Sequence, residues 1–414
     1  MANAFSKEER VAFDDILMGF NDALTLSKNT MKYGSNGELM ERASDTLYRP
    51  QPYILTSQTR TVGSAVTAQD ATQLKVPTVL DQSPNVTWTL DALELRDQLQ
   101  EGRLGKSAYQ RLASDVNSKV RDVISLEGTL VVPVTGASGN YDDVAVAEAL
   151  MLEQGMSDYD RCLALTARDY NGIAGDLGTA SRSFNNKKSV DAYERSLVGM
   201  VAGFETLRID SGKQITAAAA GGSITIATNG AQVQYAPSST ADNRTQQVTF
   251  SSTTSMVAGD CFTVAGLEAV HHITKDTTNQ LKTFRIVSVD SGTLATISPP
   301  MVGANSTPTD AESQYKNIEV ASTSATAAVV WLNGTATAAN PFWCKDSIEL
   351  TLGRYAVPEG QGVDVIRGTT DQGVEVVMGK SFSNSTFKST YTLDVFYGVT
   401  NLNPEMNGIV LFNQ

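Results

Sequence analysis

ADNRTQQVTFSSTTSMVAGDCFTVAG, residues 241–266, sets two β-branched runs, QQVTFSS and CFTVAG, on either side of a turn at Gly259 and Asp260, and carries three charged residues. Short strands punctuated in this way belong to small antiparallel barrels or sandwiches. The pattern continues outward. SITIAT precedes it, and FRIVSVD, TLATIS and AAVVWL follow, with Asp290, Ser291, Gly292, Pro299 and Pro300 in the links. Residues 212–340 hold 14 charged residues in 129 positions, against 63 in the other 285. A low-charge, turn-rich block between charge-rich flanks predicts a β-domain inserted into a host. Insertion requires the host to bring positions near 210 and 341 together.

The flanks carry other periods. Within 5–32, Phe13, Ile16, Leu17, Phe20 and Leu24 recur at helical spacing after Ser6, a cap residue, and the opposite side carries Asp15 and Asp22. DTLYRPQPYILTSQT and ATQLKVPTVL, within 33–80, read as arms of a long hairpin with little core of its own. The strongest helix runs from about Gly105 to Glu127, with Ala108, Leu112, Val116, Val120 and Val123 on one face. At ~1.5 Å per residue it is a rod of roughly 30 Å. A second helix, 142–154, buries Val144, Ala147, Leu150 and Met151, and DRCLALTARD follows as a central strand. Alternating helix and strand predict an α/β layer. SRSFNNKKS reads as loop, and PFWCKDSIELTLGRYAV through YTLDVFYGVTNLNPE returns as charged, strand-rich chain. The expected class is α+β with an inserted all-β domain.

A chain of 414 residues is long enough for two or three domains. Its net charge of -13 and pI near 4.7 argue against tight general binding to nucleic acid, which relies on clustered cations. Cys162, Cys261 and Cys344 form an odd set without a C-x-x-C pair, as expected for buried thiols in a reducing compartment. MANAFSKEER lacks the features of a signal peptide, and no run of ~18 apolar residues occurs, so synthesis in the cytoplasm is expected, without membrane insertion.

The chemistry-bearing residues are sparse. His271 and His272 are the two histidines; adjacent on a strand, they would point to opposite faces and could not share a metal ion. No G-x-S-x-G elbow and no phosphate loop is present, and the glycines of AAAAGGSITI lead into a strand rather than a helix. The paired acids Asp14 with Asp15 and Asp142 with Asp143 suit helix capping or solvation, and Lys187 with Lys188 a solvated loop. No catalytic residue, metal or cofactor is called for. The residues favour a protein that works by making surfaces. A β-rich fibre or adhesin-like protein recognising carbohydrate or a receptor remains an alternative, and a hydrolase with a β-decoration is a third reading.

VAGFETLRID (201–210), the 241–266 segment, FRIVSVDSGTLATISP (284–299), NPFWCKDSIEL (340–350) and FYGVTNLNPE (396–405) carry a resemblance. KYGSNGELMERASDTLYRPQP and ELRD extend it toward the amino terminus. With the order of parts, they resemble the major capsid proteins of tailed double-stranded DNA phages, the Hong-Kong-97 fold, and among them the P-twenty-two type with its inserted I-domain. The resemblance implies an amino-terminal arm at 1–35, an E-loop at 36–80, and a P-domain with spine helix at 81–133. It further implies a first part of the A-domain at 134–211, the I-domain at 212–340 with a D-loop at 229–244, and a return to A- and P-domains at 341–414. It implies a homo-oligomeric icosahedral shell of hexamers and pentamers that assembles as a procapsid with scaffolding protein and matures around packaged double-stranded DNA. Loops such as 171–189 would pack around capsomer axes. A portal protein is a further implied partner, and DNA is touched only weakly. Asp14 and Asp15 would meet the scaffolding protein, with Met18 standing where the family carries another acid. Tyr235, Asp242 and Arg244 would lie in or at the base of a D-loop that contacts the next capsomer; with so few charges, that contact is expected to be polar rather than ionic.

Overall fold

The computed structural model describes residues 7–34, 46–51, 55–57, 60–65, 68, 70–91, 98–178, 187–219, 224–228, 232–303, 308–321, 325–355 and 364–414. ELRD, most of KYGSNGELMERASD, the start of the D-loop and 179–186 fall outside the described residues. The chain divides into two compact units, 1–47 with 78–121 and 348–400, and 48–77 with 122–347 and 401–414.

In the first unit, helix α1 (Lys7–Ala23) buries Phe13, Ile16 and Phe20, with Leu24 just beyond it, in a core shared with Leu112, Val116, Val376 and Leu393. It stops well short of the expected Lys32. The side chain of Asn117 accepts from Leu26 N at 3.2 Å and donates to Ala23 O at 3.0 Å, satisfying chain-end groups that another helical turn would have used. Asn117 belongs to α2 (Gln98–Glu127), whose 30 residues make a rod of about 45 Å, starting seven residues before the expected Gly105. All five expected core positions of this helix are buried.

A four-stranded antiparallel sheet runs in the order Asp364–Thr369, Glu375–Ser383, Lys388–Val395 and Asn85–Asp91. A smaller sheet places Ile348–Leu352 between Met31–Gly34 and Tyr397–Asn401. The hairpin arms pair as Thr46–Pro50 with Lys75–Val79, and Gln51 N donates to Leu74 O at 2.9 Å.

The second unit has three layers. Its sheet runs Leu130–Pro133, Asn407–Leu411, Thr337–Cys344, Arg161–Thr166, Phe204–Ile209 and Met200–Val201. One face packs on α3 (Tyr141–Glu153) and α4 (Ala167–Gly178), burying Leu163, Leu165, Phe204 and Phe342 against Val144, Ala147 and Ile173. The other face presents Val131, Ile409 and Leu411 to Cys261 and Leu332 of the inserted block. A strand covered on both sides has no solvent-facing position: RCLAL is buried along its length, and its one charged residue, Arg161, donates to Ser157 O at 2.7 Å and Met156 O at 3.1 Å. Cys162, Cys261 and Cys344 are buried free thiols, and burial pushes Cys162 up to about 12.

Two expectations are corrected here. Residues 171–178 are not a loop but lie in α4, and Lys187 and Lys188 open helix α5 (Lys187–Arg195).

The insert closes on itself. Thr225–Ala227, Thr326–Trp331, Cys261–Val270, Thr277–Val289, Leu294–Ser298 and Gln246–Thr249 follow one another, and a bridge between Ile226 and Phe250 joins the last to the first. The result is a small antiparallel barrel filled by Phe250, Phe262, Phe284, Ile286, Ile297 and Val329. Among the described residues, closure pairs the long strands on both sides, which removes an edge through which they could aggregate. Gly266, at φ +82, takes up a shift of register within Cys261–Val270, where the short strand Ile318–Val320 and helix α6 (Asp310–Tyr315) attach. Entry and exit meet: Lys213, Gln214 and Ile215 pair with Ala339, Ala338 and Thr337. The contiguity required of positions near 210 and 341 is a ladder of backbone hydrogen bonds.

Candidate functional site

Burial of one face of α1 turns the other outward. Val11, Asp14, Asp15, Met18 and Asp22 are exposed and form one stripe along the helix, three carboxylates with two apolar side chains. Among the described residues, neither Asp14 nor Asp15 has a hydrogen-bond or ion-pair partner. Glu9 behaves differently: it points inward and accepts from Lys380 Nζ at 2.5 Å and Tyr391 Oη at 2.8 Å. The helix thus has one structural acid and an outward acidic face.

The described part of the D-loop is held by its own side chains. Arg244 Nε and Nη2 donate to Asp242 at 3.0 and 2.7 Å, and Arg244 Nη1 donates to Asn401 O at 3.0 Å. Asn243 donates to Ser238 O at 2.7 Å and Ala241 O at 2.9 Å, and its Oδ1 accepts from Tyr235 Oη at 3.3 Å. Burial, with the charge of Asp242 beside it, raises the Tyr235 phenol pKa, so Tyr235 remains a donor. Tyr235, Asp242 and Arg244 are therefore brought together at the base of the loop, where Asp242 and Arg244 use their charges on each other. Ser239, Thr240 and Ala241 are the exposed tip. Buried Asn243, the organiser, was missed by sequence reasoning, although an Asx residue beside an Asp is a turn signal.

A third cluster joins the barrel to the host sheet. Lys282 is fully buried and donates to Glu405 Oε1 at 2.5 Å and Gln154 Oε1 at 3.2 Å; Asn317 also donates to Glu405, at 3.2 Å. Thr283 reaches Thr129 O at 2.7 Å, and buried Arg285 donates to Ser125 O. The signal was present in the sequence. Lys282 shares strand parity with the core residues Phe284 and Ile286, although the register with Cys261–Val270 shifts beside it and Thr283 and Arg285, of the opposite parity, are buried too.

His271 and His272 lie in the turn after Cys261–Val270, not on a strand as expected. His271 Nδ1 accepts from Ile273 N and Thr274 N at 3.3 and 3.2 Å, closing that turn. His272 Nε2 lies 3.8 Å from Glu405 Oε2. Burial drives its pKa down to about 4, with Glu405 opposing and Lys282 and Lys275 assisting, so the ring is neutral at pH 7. Burial acts to raise Glu405, but Lys282 and His272 outweigh it and leave the carboxyl below its usual range.

Both groups bind protons more weakly folded than unfolded, so both withdraw stability as pH falls. The His272 part begins to go below its unfolded value near 6.5 and is gone by about 4, a loss of up to ~3 kcal/mol. Glu405 adds to the loss below about 4.5. Denaturant midpoints measured from pH 7 to pH 4 are expected to fall steadily, and His272→Asn to flatten the slope above pH 5.

A family model described as "P22 coat protein - gene protein 5" matches residues 1–413. The chain belongs to the P22 coat protein family. Among solved structures, it is similar to the CUS-3 coat protein I-domain, 34% identical over 28% of this chain and 98% of that chain, TM-score 0.22. It is also similar to a structure from Mycobacterium phage Che8, 9% identical over 94% of this chain and 90% of that one, TM-score 0.46. The asymmetric unit of the bacteriophage PhiM1 mature capsid is 10% identical over 93% and 86%, TM-score 0.44.

As a P22-family coat protein, the chain is a tailed-phage major capsid protein and a component of the virion, where copies of it form the shell. The family is structural and not one of enzymes. Its fold mixes α and β, with an inserted β-barrel. Membership decides against the fibre or adhesin reading. No helix among the described residues is long and apolar enough to cross a membrane.

Proposed function

We propose that this coat protein assembles with a scaffolding protein into a procapsid of hexamers and pentamers, which incorporates a portal protein and then matures around double-stranded DNA. The observation that carries the scaffold step is the outward stripe of α1, where Asp14 and Asp15 stand exposed beside Val11 and Met18. A rigid helix offering carboxylates between apolar side chains suits a basic, amphipathic partner. The net charge of -13 suits a wall to which packaged DNA adheres weakly.

The proposed parts are those read from the sequence: arm 1–35, E-loop 36–80, P-domain 81–133, A-domain 134–211, I-domain 212–340 and return 341–414. The pairing of Lys213 with Ala339 supports the insert's limits. The D-loop, 229–244, reaches a neighbouring capsomer in this reading. Asp242 and Arg244 stiffen its base, and hydroxyls of the exposed tip make a polar contact. Weak contacts of this kind suffice because a closed shell repeats them many times.

Coat monomers carrying Asp14→Lys with Asp15→Lys are expected to co-assemble with scaffolding protein roughly tenfold less readily, measured by shell yield in sedimentation. Raising salt from about 0.05 to about 0.5 M is expected to weaken the wild type in the same direction. Indifference to both changes would sink the scaffold reading.

A further inference from the structure

A cavity of about 280 Å³ opens beside the acidic stripe, between α1, α2 and the four-stranded sheet. Its wall is aromatic: Trp88 stacks on Tyr391 with ring centroids 5.8 Å apart and planes 14° apart, and Tyr109 lines the same space. Two charged residues exposed at its edge, Asp15 and Lys106, have opposite signs. The protein already holds an ammonium against this wall. Lys380 Nζ lies 5.6 Å from the Tyr391 ring centroid while bonding to Glu9, so a cation is shared between an aromatic face and a carboxylate. Asp15 brings a second carboxylate to the same wall and has no ion-pair partner among the described residues.

We propose that this cavity is a socket for one basic side chain, arginine or lysine, presented by the partner protein that docks on α1. The proposal rests on the scaffold reading and adds to it a recessed anchor formed by Trp88, Tyr109 and Asp15. An aromatic wall with a carboxylate favours a cation, and a guanidinium combines stacking with a forked hydrogen bond to Asp15. The space is of side-chain size, and partial desolvation there makes the contact stronger than charge pairing along the open stripe. Lys106 is the unfavourable neighbour. It fixes the sign of the test, because it repels an incoming cation and would attract an incoming acid.

The affinity of full-length coat monomers for full-length scaffolding protein, measured by titration at low salt, tests the socket. Lys106→Glu is expected to tighten binding about threefold to tenfold, and Asp15→Asn to weaken it by a similar factor. Trp88→Leu is expected to weaken it comparably, and Trp88→Phe, which keeps an aromatic face, to weaken it less. Lys106 is exposed on the helix surface, so its variant reads binding even if Trp88→Leu disturbs the fold. Weaker or unchanged binding by Lys106→Glu overturns the socket. If Asp14→Lys with Asp15→Lys weakens binding while Lys106→Glu and Trp88→Leu leave it unchanged, the scaffold reading stands and the socket fails. If no variant changes binding, both fail.

Discussion

Glu405→Ala is expected to destabilise the protein by about 3–5 kcal/mol, because it leaves Lys282 a fully buried cation without its counter-charge. The pair joins a barrel strand to the carboxy-terminal turn Pro404–Met406, so the damage should appear first where insert meets host. Hydrogen exchange is the suitable readout. Amides of Thr277–Val289 near Lys282 and of Asn407–Leu411 are expected to lose protection, and the barrel core around Phe262 and Ile297 to lose less. The double change Lys282→Met with Glu405→Leu removes both charges and is expected to recover much of the loss, although Gln154 and Asn317 then lose partners. Equal destabilisation of single and double variants would show that packing, not charge, holds the seam.

Phe342→Ala is expected to cost about 3–5 kcal/mol through lost burial and the cavity left behind. Phe342 lies on the exit strand Thr337–Cys344, fully buried, with its ring edge-on to Phe204 at 6.0 Å. That pair fastens the exit of the insert to the strand that precedes its entry, across Arg161–Thr166. Host and insert have separate cores, so chemical denaturation is expected to lose the host transition first and leave a barrel transition near its original midpoint. A cost below about 1 kcal/mol would mean that the host core collapses around the gap more freely than its packing implies.

Much of this architecture follows from local pattern. Every strand expected within the insert is present, because turn residues and β-branched runs specify such strands without distant help. Residues 13–24 and 105–127 bury the expected faces for the same reason. Asn85–Asp91 was legible and went unread: NVTWTLD alternates side chain by side chain, and Val86, Trp88 and Leu90 face inward. The helix α4 was harder. ARDYNGIAGDLG contains three poor helix formers in its glycines, and its formation depends on burying Tyr170, Ile173 and Ala174 against the sheet.

Sequence alone determined the insertion of a β-domain into a host, the amphipathic α1 and the exposure of Asp14 and Asp15, since each depends on composition or on a period of 2 or 3.6 residues written into neighbouring positions, whereas closure of the insert into a barrel was read from the structure. Tertiary structure decided the rest. The meeting of Lys282 with Glu405 and Gln154, the end of α1 at Asn117, the anchoring of Arg244 on Asn401 and the walling of the α1 cavity by Trp88 and Tyr391 join residues 72 to 382 positions apart. No local period encodes such contacts. Only the closed fold sets which charges are paired and buried and which are left to face a partner.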